Sequence, residues 1–126
     1  MDRKIVSTTA APAAIGPYSQ AVAVKGLVFT SGQIPIVPGS GNIEARDIDG
    51  QARQVMENLA EVLKAAGTDF SKVVKTTIFL SDMANFAKVN EIYGKFFPKD
   101  PPARSTVQVA RLPKDALVEI EMIALA

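Results

Sequence analysis

Apolar positions recur along this chain with two different periods. From about Ile48 to Ala66, the residues Ala52, Val55, Met56, Leu59, Val62, Leu63 and Ala66 fall at i, i+3, i+4 and i+7. That spacing predicts one amphipathic helix, with Gly67 as its C-terminal cap. Gln51, Arg53, Gln54, Glu57, Glu61 and Lys64 lie mostly off the stripe and read as a solvated or subunit-facing side. A second helix is predicted from Phe86, Val89, Tyr93, Phe96 and Phe97 on one face, capped by Ser81-Asp82 and ended by Pro98. Its phenylalanines read as core.

Elsewhere the period is two, or the residues are β-branched. Strands are predicted at Lys4 to Thr8, at Ala21 to Lys25 and Leu27 to Ser31 around a Lys25-Gly26 turn, and at Lys72 to Leu80. Ser105 to Arg111 and Leu117 to Ala124 read as a C-terminal hairpin, turning at Leu112-Pro113-Lys114-Asp115. Ala10 to Pro17 reads as an ordered loop leading to Tyr18, and Pro35, Pro38, Gly39 and Gly41 as another loop. The order β-β-β-α-β-α-β-β places the chain in the α+β class, as a single domain over residues 1–126. Two helices cover only one face of such a sheet. Val107, Val109, Val118, Ile120 and Met122 add apolar content along the last strands, so the uncovered face is expected to pack on another copy.

Composition removes several chemistries. The 126 residues suffice for a core without disulfide or metal staples, burying about two thirds of the unfolded surface. There is no Cys and no His, which excludes thiol nucleophiles, Ser-His dyads, imidazole or thiolate metal sites and disulfides. Lys plus Arg number 14 against 13 Asp plus Glu, and no basic run tracks a phosphate backbone. Nucleic acid and anionic membranes are not the expected partners. No apolar run approaches a bilayer span of about 18 residues. The Ser/Thr/Ala-rich start with Arg3 and Lys4 is similar to an import leader, but it is short and carries Asp2, so a cytoplasmic location is expected.

Three places could carry chemistry. Arg104 follows Pro101-Pro102 at the start of a strand; such an arginine is either solvated or acid-paired, or, held rigidly, a bidentate carboxylate clamp. Ser31-Gly32, closing a strand, is either a bulge or a point of close ligand approach. Glu119 and Glu121, two apart, share one strand face, as a wet side or as paired carboxylates. In the expected hairpin, Glu119 stands opposite Val107 to Val109. Arg104 is then on the order of 10–17 Å away along the strand, leaving room for a small ligand or a neighbouring subunit's side chains.

Taken together, Ile15-Gly16-Pro17-Tyr18-Ser19-Gln20-Ala21, Thr30-Ser31-Gly32-Gln33-Ile34-Pro35, Asn90-Glu91-Ile92-Tyr93, Pro102-Ala103-Arg104-Ser105 and Val118-Glu119-Ile120-Glu121 closely resemble the RidA (YjgF/YER057c/UK114) family of reactive-intermediate deaminases. The resemblance implies a chorismate-mutase-like α+β fold: a six-stranded mixed sheet with two helices on one face, assembled as a homotrimer with sites between subunits. It implies hydrolysis of 2-imino acids, such as 2-iminobutanoate, 2-iminopropanoate and its enamine 2-aminoacrylate, to 2-keto acids and ammonia without a cofactor or metal. Arg104 would clamp the substrate carboxylate and Glu119 would activate water. Tyr18, Ser31, Gly32, Asn90 and Thr106 would contact the substrate. Thr106 stands where some relatives have Cys, which leaves imine hydrolysis intact and weakens any reading of a redox switch or thiol modification. A non-catalytic keto-acid-binding or chaperone protein is the alternative, with an endoribonuclease or translation inhibitor behind it.

Overall fold

The computed structural model describes residues 2–126, so Met1 lies outside the described residues. One mixed six-stranded sheet is formed by β1 (Lys4–Val6), β2 (Ala21–Val24), β3 (Leu27–Thr30), β6 (Val73–Leu80), β7 (Ala103–Gln108) and β8 (Val118–Leu125). Its order is β1-β2-β3-β8-β6-β7, with α1 (Ile48–Ala65) and α2 (Phe86–Gly94) on one face. The expected loop at Pro35 to Gly41 instead carries a small ribbon, β4 (Ile36–Val37) with β5 (Asn42–Ile43).

Helix α1 forms where the stripe predicts it. Asp47 caps its start, its side chain accepting from the Gly50 N–H at 3.1 Å. At the other end Gly67 adopts φ 82°, and the N–H groups of Gly67 and Thr68 return to the carbonyls of Lys64 and Leu63. Val55, Met56, Leu59 and Leu63 meet Ile78, Leu80, Val118, Ile120 and Met122 of the sheet in the main core. Gln51 departs from the expected solvated side. It is buried, its amide donating to the Ala45 carbonyl at 3.0 Å and accepting from the Leu117 N–H at 2.8 Å.

Helix α2 stops at Gly94, four residues before Pro98, and continues as tight turns through Phe97. Asp82 caps a single 3₁₀ turn, Met83–Asn85, that leads into it. The aromatic core of this end joins Phe70, Tyr93, Phe96 and Phe97, with ring centroids 4.8 to 5.5 Å apart. Phe86 is the exception among the expected core phenylalanines, standing 36% exposed.

The C-terminal hairpin does not form. β6 lies between the two strands, parallel to β7 and antiparallel to β8. The connection from Ser81 through α2 to Pro102 is long enough to return the chain to the same end of the sheet, and a crossover of that length produces parallel pairing. The alternation is also assigned differently than expected. Val118, Ile120 and Met122 point at the helices, and the apolar part of the other face comes from Ile5, Phe29, Val107 and Leu125, all 40% or more exposed.

Candidate active site

The expected site residues fall into two groups, and the register decides which belongs where. Arg104 pairs with Thr76 on β6, and Thr76 pairs with Met122 on β8, so all three share the helix-covered face. Glu119 pairs with Phe79, an odd number of residues from Thr76, and so projects from the open face. Within one chain the two backbones are two strands and three residues apart, roughly 14 Å. The expected gap along a shared hairpin is thus replaced by a separation across the sheet. One copy of the chain does not bring Arg104 and Glu119 together.

The first group surrounds Glu119. Gln33 exchanges both backbone hydrogen bonds with Ile120, holding Gly32 against the strand that carries Glu119. A Cβ on Gly32 would overlap the Glu119 carboxylate and stand 2.8 Å from its Cδ and 3.0 Å from its Cγ. The absent side chain at Gly32 thus gives the Glu119 carboxylate the space it occupies, a close approach by a side chain of the same protein. Burial, helped by the like charge of Glu121, raises the Glu119 pKa above the ordinary glutamate value. Glu121 itself is exposed.

Ser31 ties this group to the loop before it. Its hydroxyl donates to the Ser19 carbonyl, and its N–H donates to the Gln20 carbonyl at 2.9 Å. Gln20, buried, accepts from the Thr8 N–H at 2.7 Å and donates to the Pro12 carbonyl at 2.7 Å. These bonds hold the loop that presents Tyr18, half exposed, with its hydroxyl accepting from the Ile15 N–H at 3.3 Å. Tyr18, Gly32 and Gln33 open onto a cavity of about 270 Å³ that is otherwise lined chiefly by apolar residues, including Ile15, Ile34 and Pro113.

The second group surrounds Arg104 at the β7 edge. The guanidinium carbon lies 5.2 Å from the ring centroid of Tyr93 and 5.5 Å from that of Phe86. It has no acid partner: among the described residues the one ion pair is Arg111 with Asp115, 2.6 Å apart on the surface. Asn90, between Phe86 and Tyr93 on the same side of α2, and Thr106, two residues beyond Arg104 on the same face of β7, complete the group. Asn90 Oδ1 and Thr106 Oγ1 are buried and have no hydrogen-bond partner in the chain. Sequence patterning assigned Phe86 and Tyr93 to the core alone. Their i, i+7 spacing was the available signal, but only the crossover that brings β7 beside α2 gives it a meaning.

No three His, Cys, Asp or Glu side chains cluster as metal ligands among the described residues. What the chain offers is an unneutralised arginine fork, a carboxylate of raised pKa, a tyrosine and backbone amides. This set suits binding a small carboxylate and moving a proton.

A family model described as Endoribonuclease L-PSP matches residues 8–126. The chain belongs to this RidA/YjgF family. It is 53% identical over 122 residues to mouse 2-iminobutanoate/2-iminopropanoate deaminase, covering 97% of this chain and 90% of the relative. It is equally similar, at 53% over 122 residues, to the chloroplastic Reactive Intermediate Deaminase A of Arabidopsis thaliana, covering 97% of this chain but 65% of that longer protein. The crystal structure of YyfA, a Rid-family protein of unknown function from Yersinia pestis, superposes with a TM-score of 0.97 at 50% identity, covering 99% of this chain and 100% of that one. The Rid-family fold expected from the motifs is the fold observed.

Proposed function

We propose that this RidA-family chain is a 2-iminobutanoate/2-iminopropanoate deaminase, an enzyme that hydrolyses reactive 2-imino acids to 2-keto acids and ammonia. The observation that carries this reading is the Arg104 guanidinium, held between two rings and left without an acid, as a receptor for a carboxylate must be. The names borne by relatives about half identical to it over nearly its whole length support the same activity.

The site is composite. Arg104 and Glu119 leave opposite faces of the sheet, which supports a site in which Arg104, Asn90 and Thr106 of one copy meet Tyr18, Ser31, Gly32 and Glu119 of the next. A closed ring of three copies, packed through the open sheet face, repeats this contact at three equivalent sites. Apolar Phe29, Val107 and Leu125 on that face suit such burial.

In the reaction, Arg104 binds the carboxylate and Glu119 accepts a proton from water as the water oxygen bonds to C2. The C=N π pair moves onto nitrogen, which takes up the proton held by Glu119 to give a neutral carbinolamine. Glu119 then accepts the C2 hydroxyl proton and passes it to nitrogen as the C–N bond breaks. The O–H electron pair forms the C=O bond, the keto acid and ammonia leave, and Glu119 is again ionised. Imines already react with water, so orientation and one base account for the acceleration. Among the described residues no helix is long and apolar enough to cross a membrane, and the reading places this activity in the cytoplasm.

A coupled assay tests the activity. A dehydratase acting on threonine or serine supplies the imine, and keto-acid formation is followed with and without this protein. Acceleration by the parent protein that is lost in Arg104→Ala is expected; no acceleration by the assembled protein contradicts the reading and favours a keto-acid-binding role.

A further inference from the structure

The aromatic residues of α2 do two different jobs. Phe96 and Phe97 pack on Phe70 and close the end of the core, whereas Phe86 and Tyr93 flank Arg104. Tyr93 is fixed at both ends. Its ring packs on Phe97 with centroids 4.8 Å apart, and its hydroxyl shares a 2.7 Å hydrogen bond with Thr76 Oγ1. Thr76 is the residue paired with Arg104 across β6 and β7, so the bond ties the ring to the strand position beside the arginine. Phe86 stands at the first turn of α2 and remains 36% exposed, against 1% for Val89 one turn on. Its ring is only partly committed to the core, and one of its contacts is the guanidinium.

We infer that Phe86 and Tyr93 are positioning residues for Arg104, holding its guanidinium by their ring faces so that its charge stays available. A carboxylate partner would orient the fork as well, but it would occupy the same N–H donors that the substrate carboxylate needs. Aromatic faces attract a cation without accepting those donors. Thr76 extends the arrangement by fixing Tyr93. This inference rests on the reading of Arg104 as the carboxylate receptor. A looser fork weakens the carboxylate contact equally before and during reaction, so ring loss raises KM and leaves kcat nearly unchanged.

The test compares Phe86→Leu and Phe86→Met, which keep apolar bulk without a ring, with Phe86→Trp, which restores a ring face, and with Arg104→Ala. Each is checked for assembly and Tm, then assayed for kcat and KM with 2-iminobutanoate and for Kd with 2-oxobutanoate by calorimetry. Expected is a rise of about tenfold in KM and Kd for the ringless variants, with kcat within about twofold, and recovery in Phe86→Trp. Unchanged KM and Kd in an assembled ringless variant, or equal loss in Phe86→Trp, would overturn the inference. With Arg104→Ala impaired, that result removes only the role of the rings. If Arg104→Ala itself binds and turns over normally, the carboxylate-receptor reading and this inference fall together.

Discussion

Arg104 and Glu119 leave the sheet on opposite faces, two strands apart, and this relationship organises the site. It follows from strand register alone: Arg104 pairs with Thr76, Glu119 with Phe79, and Thr76 and Phe79 are three residues apart on β6. Each residue has its own supporting shell, rings under the arginine and a bare glycine beneath the carboxylate.

Arg104→Ala is expected to lower kcat/KM by about a hundredfold or more, since two charge-assisted hydrogen bonds to the substrate carboxylate are lost. The guanidinium has no ion pair to release, so the variant should assemble with a Tm close to that of the parent. Steady-state kinetics and thermal melting check both halves of the expectation.

Glu119→Gln is expected to lower kcat by about 10² to 10⁴-fold while leaving 2-oxobutanoate binding nearly intact. Its folded-state pKa is raised by burial first and by Glu121 second, so the charged form is the disfavoured one. Replacing it with a neutral amide should therefore leave Tm no lower than that of the parent at neutral pH. The sign for activity follows from the base form being needed: kcat falls as pH drops through the raised pKa, above the ordinary glutamate range. Removing the like charge in Glu121→Gln lowers that pKa, so the acid limb of the kcat profile moves to lower pH. A limb that stays in place or moves upward contradicts the assignment.

Gly32→Ala places a methyl group where the Glu119 carboxylate lies. The carboxylate end of a side chain yields more readily than backbone, so the protein should fold and Glu119 should swing away. An ångström of displacement in a reacting group costs about a hundredfold, and kcat should fall on that order with assembly retained.

Gln51→Ala tests the fold away from the site. The side-chain amide joins the segment before α1 to the start of β8, and its removal leaves the Leu117 N–H and the Ala45 carbonyl without those partners. A stability loss of about 1–3 kcal/mol by chemical denaturation, with kcat unchanged, is expected.

Much of this architecture was legible in the chain. The stripe from Ala52 to Leu63 with Gly67 behind it leaves one solution, and Lys25-Gly26, at φ 47° and 78°, is a turn only a tight hairpin uses. Period-two patterns, by contrast, reveal strands but not their partners. Ala103–Gln108 and Val118–Leu125 alternate as a hairpin would, yet β6 separates them because α2 carries the chain back for parallel pairing. The same limit hid the division of the site. Arg104, Glu119 and the Gly32 loop were all recognisable as motifs, but which face each side chain takes depends on register. Gln51 was misread for a related reason, since an amide off the apolar stripe is indistinguishable from a solvated one until the backbone groups it satisfies are in place.

Subunit mixing tests the shared site most directly. Arg104→Ala and Glu119→Gln, each inactive as a pure assembly, are unfolded together in equal amounts and refolded. If one copy supplies Arg104 and its neighbour Glu119, random assembly makes about a quarter of the sites intact, and activity should return to about that fraction of the parent level. Activity no higher than that of the two separate variants, in oligomers shown to be mixed, would mean that both residues act from the same chain and would contradict the composite site.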